Sequence, residues 1–165
     1  METIANISFA FGLSAALVAG VFQSFSDFVM RGLDHAAPAS GMDAMRQVNR
    51  AVFRSLFLTL LLLLTPASIA FAAYARFQIG GSAASAYLTA ASVVYVVFVF
   101  FVTMFGNVPM NNKLDGQNAD EPAGQNYWRR YLRDWTRLNH LRFLGSLATA
   151  ILYIAAARAL LQSSV

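Results

Sequence analysis

The chain has 165 residues, of which 58% are apolar and only 12% are charged, and it contains no cysteine. Soluble domains average roughly 25% charged residues, so this composition excludes an ordinary water-soluble fold. The lack of cysteine excludes a disulfide framework and a thiolate metal site. The net charge of +4 is confined to short segments between long apolar runs, which argues against nucleic acid and favours the lipid bilayer as a partner.

Four apolar runs in chain order predict the fold. Each is close to, or longer than, the roughly 20 residues that an α-helix needs to cross a bilayer. The first has no basic segment before it and no convincing cleavage site after it, which predicts a retained helix and not a signal peptide. We predict an all-α membrane protein, a four-transmembrane-helix bundle with an additional amphipathic interfacial helix. The single membrane domain, residues 1–165, has predicted spans at about residues 4–30, 52–75, 83–107 and 140–161 and cytoplasmic loops at about 31–51 and 108–139.

The basic residues predict the orientation of the spans. Ten of the 12 Lys and Arg residues lie in the two segments that follow the first and third spans, and only Arg76 and Arg158 lie on the other side. Basic residues favour the cytoplasmic side of a membrane. We therefore expect a multi-pass protein of the bacterial inner (plasma) membrane with both termini on the non-cytoplasmic side.

Small residues and prolines predict how the spans pack. Ser8, Gly12, Ala16, Gly20 and Ser24 recur every four residues in the first span, a pattern that lets another helix approach closely. Pro66 is expected to kink the second helix, and Pro109 to end or bend the third.

Two helices are predicted in the loops. Ser40 followed by Asp43 has the spacing of a capping box, which predicts a helix start that leads into the second span. An amphipathic helix is predicted from Tyr127, with one face formed by Trp128, Tyr131, Trp135 and Leu138. Aromatic residues beside arginines are typical of a helix at the membrane interface, so these rings are expected to be interfacial anchors or, alternatively, to stack on a flat ligand.

Polar side chains gather at the predicted cytoplasmic ends of the spans, and the opposite ends carry no comparable set. If the four helices form one bundle, these groups converge at one mouth, which is the candidate site. The candidates for catalysis are His140, Asn107, Asn111 and Asp27. The candidates for ligand binding are Trp135, Asn139, Arg142, Asn49 and Tyr131.

Several of these residues have alternative structural roles. Asp27 can pair with Arg50 or Arg142 at the interface, and the asparagines can hold helices together. His140 is the side chain near a span that titrates around neutral pH, but it can equally be a hydrogen-bonded structural residue. The sequence has no HExxH motif, P-loop or Gly-rich dinucleotide motif, and one usable histidine without cysteine disfavours a metal site. No cofactor is therefore expected.

Four segments carry a family resemblance. They are GVFQSFSDFVM (20–30), NRAVF (49–53), FVTMFGNVPMNNKL (101–114) and YWRRYLRDWTRLNHLR (127–142). With its N-V-P-x-N-N and W-x-x-x-N-H-x-R elements in this order, the chain resembles, over nearly its whole length, the anthrone oxygenase-like family of small four-span membrane proteins. Most bacterial members are known only as a domain of unknown function, and the activity belongs to a few polyketide-pathway members.

The resemblance implies cofactor-free oxygenation of an anthrone to an anthraquinone by O₂. Removal of a proton from the anthrone CH₂ gives an electron-rich anion that reacts with O₂ without a metal or flavin, so the protein needs a base, donors for the oxyanion and a dry, flat pocket. By this resemblance His140 is the base, oriented by Asp27. Asn107, Asn111 and Arg142 are the donors, and Trp135 with phenylalanines forms the slot.

Three functions follow as hypotheses. The leading one is a membrane oxygenase, an oxidoreductase whose partners are a hydrophobic aromatic (anthrone- or quinone-like) molecule and O₂. The second is a non-catalytic membrane protein that binds a lipophilic ligand or a partner protein. The third is a small transporter, although Asp27 lies near one edge and such proteins usually keep a carboxylate near the midplane. A homo-oligomer is compatible with each of the three.

Overall fold

The computed structural model describes residues 1–163, and this part of the chain is helical, with short connections and no strand. Three π-helical segments (Phe25–Val29, Val96–Phe101 and Thr103–Asn107) and one 3₁₀ turn (Val52–Arg54) interrupt or join the helices. The α-helices are α1 (Glu2–Ser24), α2 (Met30–His35), α3 (Pro38–Ala51), α4 (Leu56–Gln78), α5 (Ala83–Tyr95), α6 (Val108–Asp115) and α7 (Pro122–Gln162).

Four continuous helical stretches are long and apolar enough to cross a membrane: Glu2–His35, Leu56–Gln78, Ala83–Asp115 and Pro122–Gln162. The predicted all-α fold with four such helices is therefore confirmed. Helix α1 packs on α7 and α4, and α5 packs on α7 and α4. Outward-facing leucines and phenylalanines such as Leu17 and Leu63 are exposed, as expected for a surface that lipid covers.

The small-residue stripe of α1 is a helix contact only in its first half. The Ser8 hydroxyl donates to the Tyr153 carbonyl at 2.8 Å, and a Cβ added at Gly12 would lie 3.2 Å from Cγ1 of Ile154. Ala16 and Gly20 are exposed, so the prediction was wrong for them. Steps of four residues advance by about 400°, so a strict four-residue stripe drifts about 40° per step away from any straight contact.

We expect Gly12→Leu to destabilise the protein by about 1–3 kcal/mol, because the added side chain must push α1 away from α7. The neighbours of Gly12 include the Ala150 carbonyl, which is backbone and cannot rotate away. Gly20→Leu is the matched control, since a Cβ at Gly20 meets no atom within 4 Å. Thermal unfolding in detergent should show a lower midpoint for Gly12→Leu alone; equal midpoints for the two variants would contradict the contact.

The third long helix continues past Pro109, so of the two predicted effects, ending or bending the helix, Pro109 does not end it. Pro109 lies in the first turn of α6, directly after the π-helical segment Thr103–Asn107. A π-helical turn shifts the hydrogen-bond pattern, and the missing N–H of proline is tolerated in a first helical turn. The helix therefore reaches Asp115, which places Asn107 and Asn111 on one continuous element.

Helix α3 begins at Pro38 and has no side-chain cap, so the predicted capping box at Ser40 is wrong. It also does not run straight into the second span. The 3₁₀ turn Val52–Arg54 separates α3 from α4, and Ser55 caps α4 by accepting from the Leu58 N–H at 3.2 Å.

The predicted amphipathic helix and the fourth span form one continuous helix, α7. Its aromatic face is not an interfacial anchor, which corrects the sequence interpretation. Trp128, Tyr131 and Trp135 are buried in a cluster with methionines of α3 and with Leu114 of α6. The rings of Trp128 and Tyr131 stack at 5.6 Å between centroids, and those of Tyr131 and Trp135 at 6.0 Å. Because α3 covers this face, the rings face protein.

Candidate functional site

A cavity of about 410 Å³ lies at the end of the molecule where the polar residues were predicted to gather. This volume falls within the about 300–1,000 Å³ that is typical of small-molecule sites. All four long helices contribute to its walls, together with α3, which lies over it. The lining residues are Val21, Phe22, Phe25, Met45, Arg46, Val48, Asn49, Arg50, Val52, Phe53, Phe57, Leu58, Leu61, Thr103, Asn107, Val108, Asn111, Asn112, Asp115, Trp135, Asn139 and Arg142.

Arg142 is the buried charge of this cavity. Its side chain lies between two aromatic rings, with the guanidinium carbon 4.4 Å from the ring centroid of Phe22 and 5.0 Å from that of Trp135. One terminal N–H donates to Oδ1 of Asn139 at 2.7 Å, whereas the Nε–H has no partner. No ion pair within residues 1–163 includes Arg142. The cavity thus contains a cation, 5% exposed, without a carboxylate to balance it.

Asn139 holds Arg142 in place. It is fully buried, and its amide nitrogen donates to the Phe22 carbonyl and to the Ser26 hydroxyl, both at 2.7 Å. These bonds tie α7 to the end of α1 and turn the Oδ1 of Asn139 toward Arg142. The carbonyl of Phe22 and the hydroxyl of Ser26 flank the start of the π-helical segment Phe25–Val29, so this segment helps to shape the wall.

Asn107 and Asn111 of the third long helix have different roles. Asn107 donates from Nδ2 to the Trp135 carbonyl at 3.2 Å, while its Oδ1 is buried without a partner. Asn111 is satisfied, because its Oδ1 accepts from the Tyr131 hydroxyl at 2.7 Å and from the Trp135 indole N–H at 2.9 Å. Asn111 therefore fixes the Trp135 ring, and Asn107 is left with a free acceptor.

His140 and Asp27 do not lie in the cavity, so the predicted meeting of these two with the asparagines is not found. His140 is exposed on α7. Consecutive helical residues point about 100° apart, so the turn that brings Asn139 and Arg142 inward directs His140 outward. Asp27 is exposed and pairs with Arg31 at 2.8 Å, and not with either of the arginines named as alternatives.

Of the remaining ligand-binding candidates, some line the cavity and one does not. Asn49 and Trp135 line the cavity, whereas the buried Tyr131 stands behind Asn111 and does not reach the wall. Sequence reasoning missed Phe22 and Thr103. Nothing in the sequence singled out Phe22 as a wall residue, since its contact with Arg142 joins residues far apart in the chain. The hydroxyl of Thr103 within an apolar span was a weak indication that Thr103 faces a cavity.

This arrangement can hold a flat molecule and stabilise negative charge on it. Aromatic rings, leucines and valines form half of the lining residues, and Asn111, Asn139 and Arg142 are held by hydrogen bonds. A buried, fixed cation such as Arg142 acts more strongly on developing charge than an exposed one would. The one carboxylate of the lining, Asp115, is exposed at the rim and is paired with Arg50 at 2.9 Å. Within residues 1–163 no three His, Asp or Glu side chains are grouped so that they could hold a metal ion.

Comparison with known proteins connects this cavity to a family. No curated protein and no solved structure matches the chain. A family model described as anthrone oxygenase matches residues 45–152. That range includes Asn49, Asn107, Trp135, Asn139 and Arg142, and thus most of the polar cavity wall. The chain belongs to the anthrone oxygenase family.

Proposed function

We propose that this protein is a membrane-embedded oxygenase that oxidises a hydrophobic aromatic compound, anthrone- or quinone-like, inside the cavity without a bound cofactor. The observation that carries the proposal is the pairing of an aromatic slot with two unsatisfied polar groups, on Arg142 and Asn107. Family membership supports the reaction type. Apolar walls suit both a polycyclic substrate and O₂, which is itself apolar.

The chemistry requires the substrate and O₂ alone. An anthrone CH₂ loses one proton, and the resulting negative charge is delocalised onto the ketone oxygen. The carbon then bonds to O₂, and protonation of the distal oxygen gives a hydroperoxide. Loss of water from the hydroperoxide, with the second hydrogen of the original CH₂, forms the new carbonyl, so that anthrone and O₂ yield anthraquinone and H₂O.

The protein's contribution is to place charge and rings around this substrate. Arg142 stabilises the ketone oxygen as it becomes negative, a type of interaction that typically contributes about 10²- to 10³-fold in rate. Trp135, fixed by Asn111, forms part of the cavity wall and supports the Arg142 guanidinium. Because His140 lies outside the cavity and Asp115 is paired with Arg50, the proton passes to water at the rim.

Oxygen consumption by the purified protein tests this proposal. Added anthrone should be converted to the quinone with one O₂ consumed per quinone formed, at a rate well above that of empty detergent micelles. A metal chelator and removal of free flavin should leave the rate unchanged. A rate equal to that of empty micelles, together with retained ligand binding, would favour the alternative of a non-catalytic lipophilic-ligand carrier.

We further propose that the cavity opens on the cytoplasmic side of a bacterial inner membrane, with both termini on the other side. The support is the distribution of basic residues, since the arginines around the cavity end far outnumber those at the opposite end. Reporter fusions at the C-terminus and within residues 116–124 should report opposite sides. A cytoplasmic signal from the C-terminal fusion would contradict this orientation.

A further inference from the structure

We propose that the cavity binds its aromatic ligand as an oxyanion, with the charged oxygen on Arg142 and a neighbouring hydroxyl of the ligand donating to Asn107. The ligand class is a planar aromatic molecule that carries an ionisable oxygen beside a second, neutral hydroxyl group. The inference rests on the proposed function only for the polycyclic scaffold, because the charge argument comes from the cavity itself.

Arg142 has no counter-ion among residues 1–163. A buried charge without a partner is costly, and proteins normally pair it or leave it a route to water. The ring faces of Phe22 and Trp135 compensate part of this cost, since a cation is attracted to an aromatic face. They do not neutralise the charge. The missing charge is negative, and the cavity is where it can be placed.

The charge of Arg142 affects the ionisation state of a ligand hydroxyl in the cavity. Burial alone disfavours an ionised hydroxyl, but an opposite charge within about 4–6 Å favours it and typically shifts a pKa by about 1–3. The desolvation of Arg142 is already complete in the folded protein, so the incoming anion relieves an existing penalty. A neutral hydroxyl would leave the cation unbalanced. The ionised form is therefore the one that the cavity selects.

Asn107 has a hydrogen-bond acceptor without a partner among residues 1–163. Its Oδ1 is buried and unpartnered, and its Nδ2 is already used by the Trp135 carbonyl. An acceptor of this kind needs an O–H or N–H donor, which a simple carboxylate does not supply. Asn139 meanwhile occupies one terminal N–H of Arg142 and fixes the plane of the guanidinium. The cavity thus presents a donor cation and an acceptor amide at fixed positions, which demands both features in one ligand.

A coloured quinone that cannot be oxidised further tests the inference separately from catalysis. The probe is 1,8-dihydroxyanthraquinone, whose visible absorption changes when one hydroxyl ionises. With wild-type protein in detergent, the pKa of the bound probe should fall by about 1–3 relative to the probe in empty micelles. Its dimethyl ether, which can neither ionise nor donate, should bind about 10- to 100-fold more weakly. A bound probe that titrates like the probe in micelles would overturn the inference without any variant.

Variants assign the effect to Arg142. Arg142→Met should abolish the change in the probe's pKa, and Arg142→Lys, which keeps the charge, should retain a large part of it. Arg31→Met is the control, because Arg31 is exposed, pairs with Asp27 and lies outside the cavity. If the probe bound to folded Arg142→Met had the same lowered pKa as the probe bound to wild type, the inference would also be overturned. A lowered pKa of the bound probe without anthrone oxidation would count against the proposed function alone. Anthrone oxidation without a lowered pKa of the probe would count against this inference alone.

Discussion

Arg142→Met is expected to lower anthrone-dependent oxygen uptake by about 10²- to 10³-fold, the usual cost of removing a fixed group that stabilises a developing oxyanion. Methionine keeps most of the length and removes the charge. Since Arg142 has no ion-pair partner in the part of the chain that the structure describes, its loss leaves no buried carboxylate there, and the fold should survive. Removal of a buried cation usually causes large destabilisation when it orphans a charged partner, and no charged partner is orphaned among residues 1–163. The Oδ1 of Asn139 does lose a donor, which typically costs about 1–3 kcal/mol.

The measurement is initial oxygen uptake at several anthrone concentrations, beside thermal unfolding of the same preparation. Arg142→Lys should lose less activity than Arg142→Met, because it preserves the charge but not the stacking of a planar guanidinium between two rings. Arg31→Met controls for the loss of one positive charge from the same end of the molecule. An Arg142→Met variant that melts like wild type and keeps its uptake rate would remove Arg142 from the proposed mechanism.

The sequence was sufficient to predict the four long helices, because length and hydropathy alone decide whether a segment suits a bilayer. It also indicated the correct end of the molecule for the cavity, because polar side chains at the ends of several spans have few other places to converge. Asn107, Asn111, Asn139 and Arg142 were all identified in this way, and all line the cavity.

The predictions that failed depended on the direction of individual side chains. His140 stands beside Asn139 in sequence and carries the obvious chemistry, yet a rotation of about 100° per residue directs it away from the cavity. The same rotation per residue directs Gly20 away from the contact between α1 and α7. In both cases the residue type was suited to the predicted role, but the sequence does not state which neighbour each helix face meets.

A second kind of failure arose where two environments accept the same residues. Trp128 and Tyr131 beside arginines suit the membrane interface, and they suit equally a buried cluster beneath a covering helix. Only the position of α3 decides between the two, and α3 is held there by its methionines and by Arg46, which donates to the Leu114 carbonyl at 3.0 Å. The contact between Arg142 and Phe22 could not be predicted for a related reason, since the packing of α1 on α7 brings the two side chains together.

Asn107→Asp should reduce both oxygen uptake and binding of the quinone probe by about 10²-fold or more. A carboxylate at this position would supply the counter-ion that Arg142 lacks and would repel an anionic ligand, since a like charge disfavours ionisation of its neighbour. The substitution changes one atom in the side chain and keeps its shape. It loses the hydrogen bond to the Trp135 carbonyl, which costs about 0.5–1.5 kcal/mol, so the thermal midpoint measures whether the new ion pair offsets that loss.

The expected combination is a strong loss of uptake with a midpoint close to, or above, that of wild type. Asn126→Asp is the matched control, because the same atom changes at an exposed position outside the cavity. A variant that melts normally but still binds and oxidises the substrate would show that a carboxylate at position 107 does not act as the counter-ion of Arg142. A protein that becomes more stable as it loses its ligand would show that the missing negative charge of this cavity belongs to the substrate.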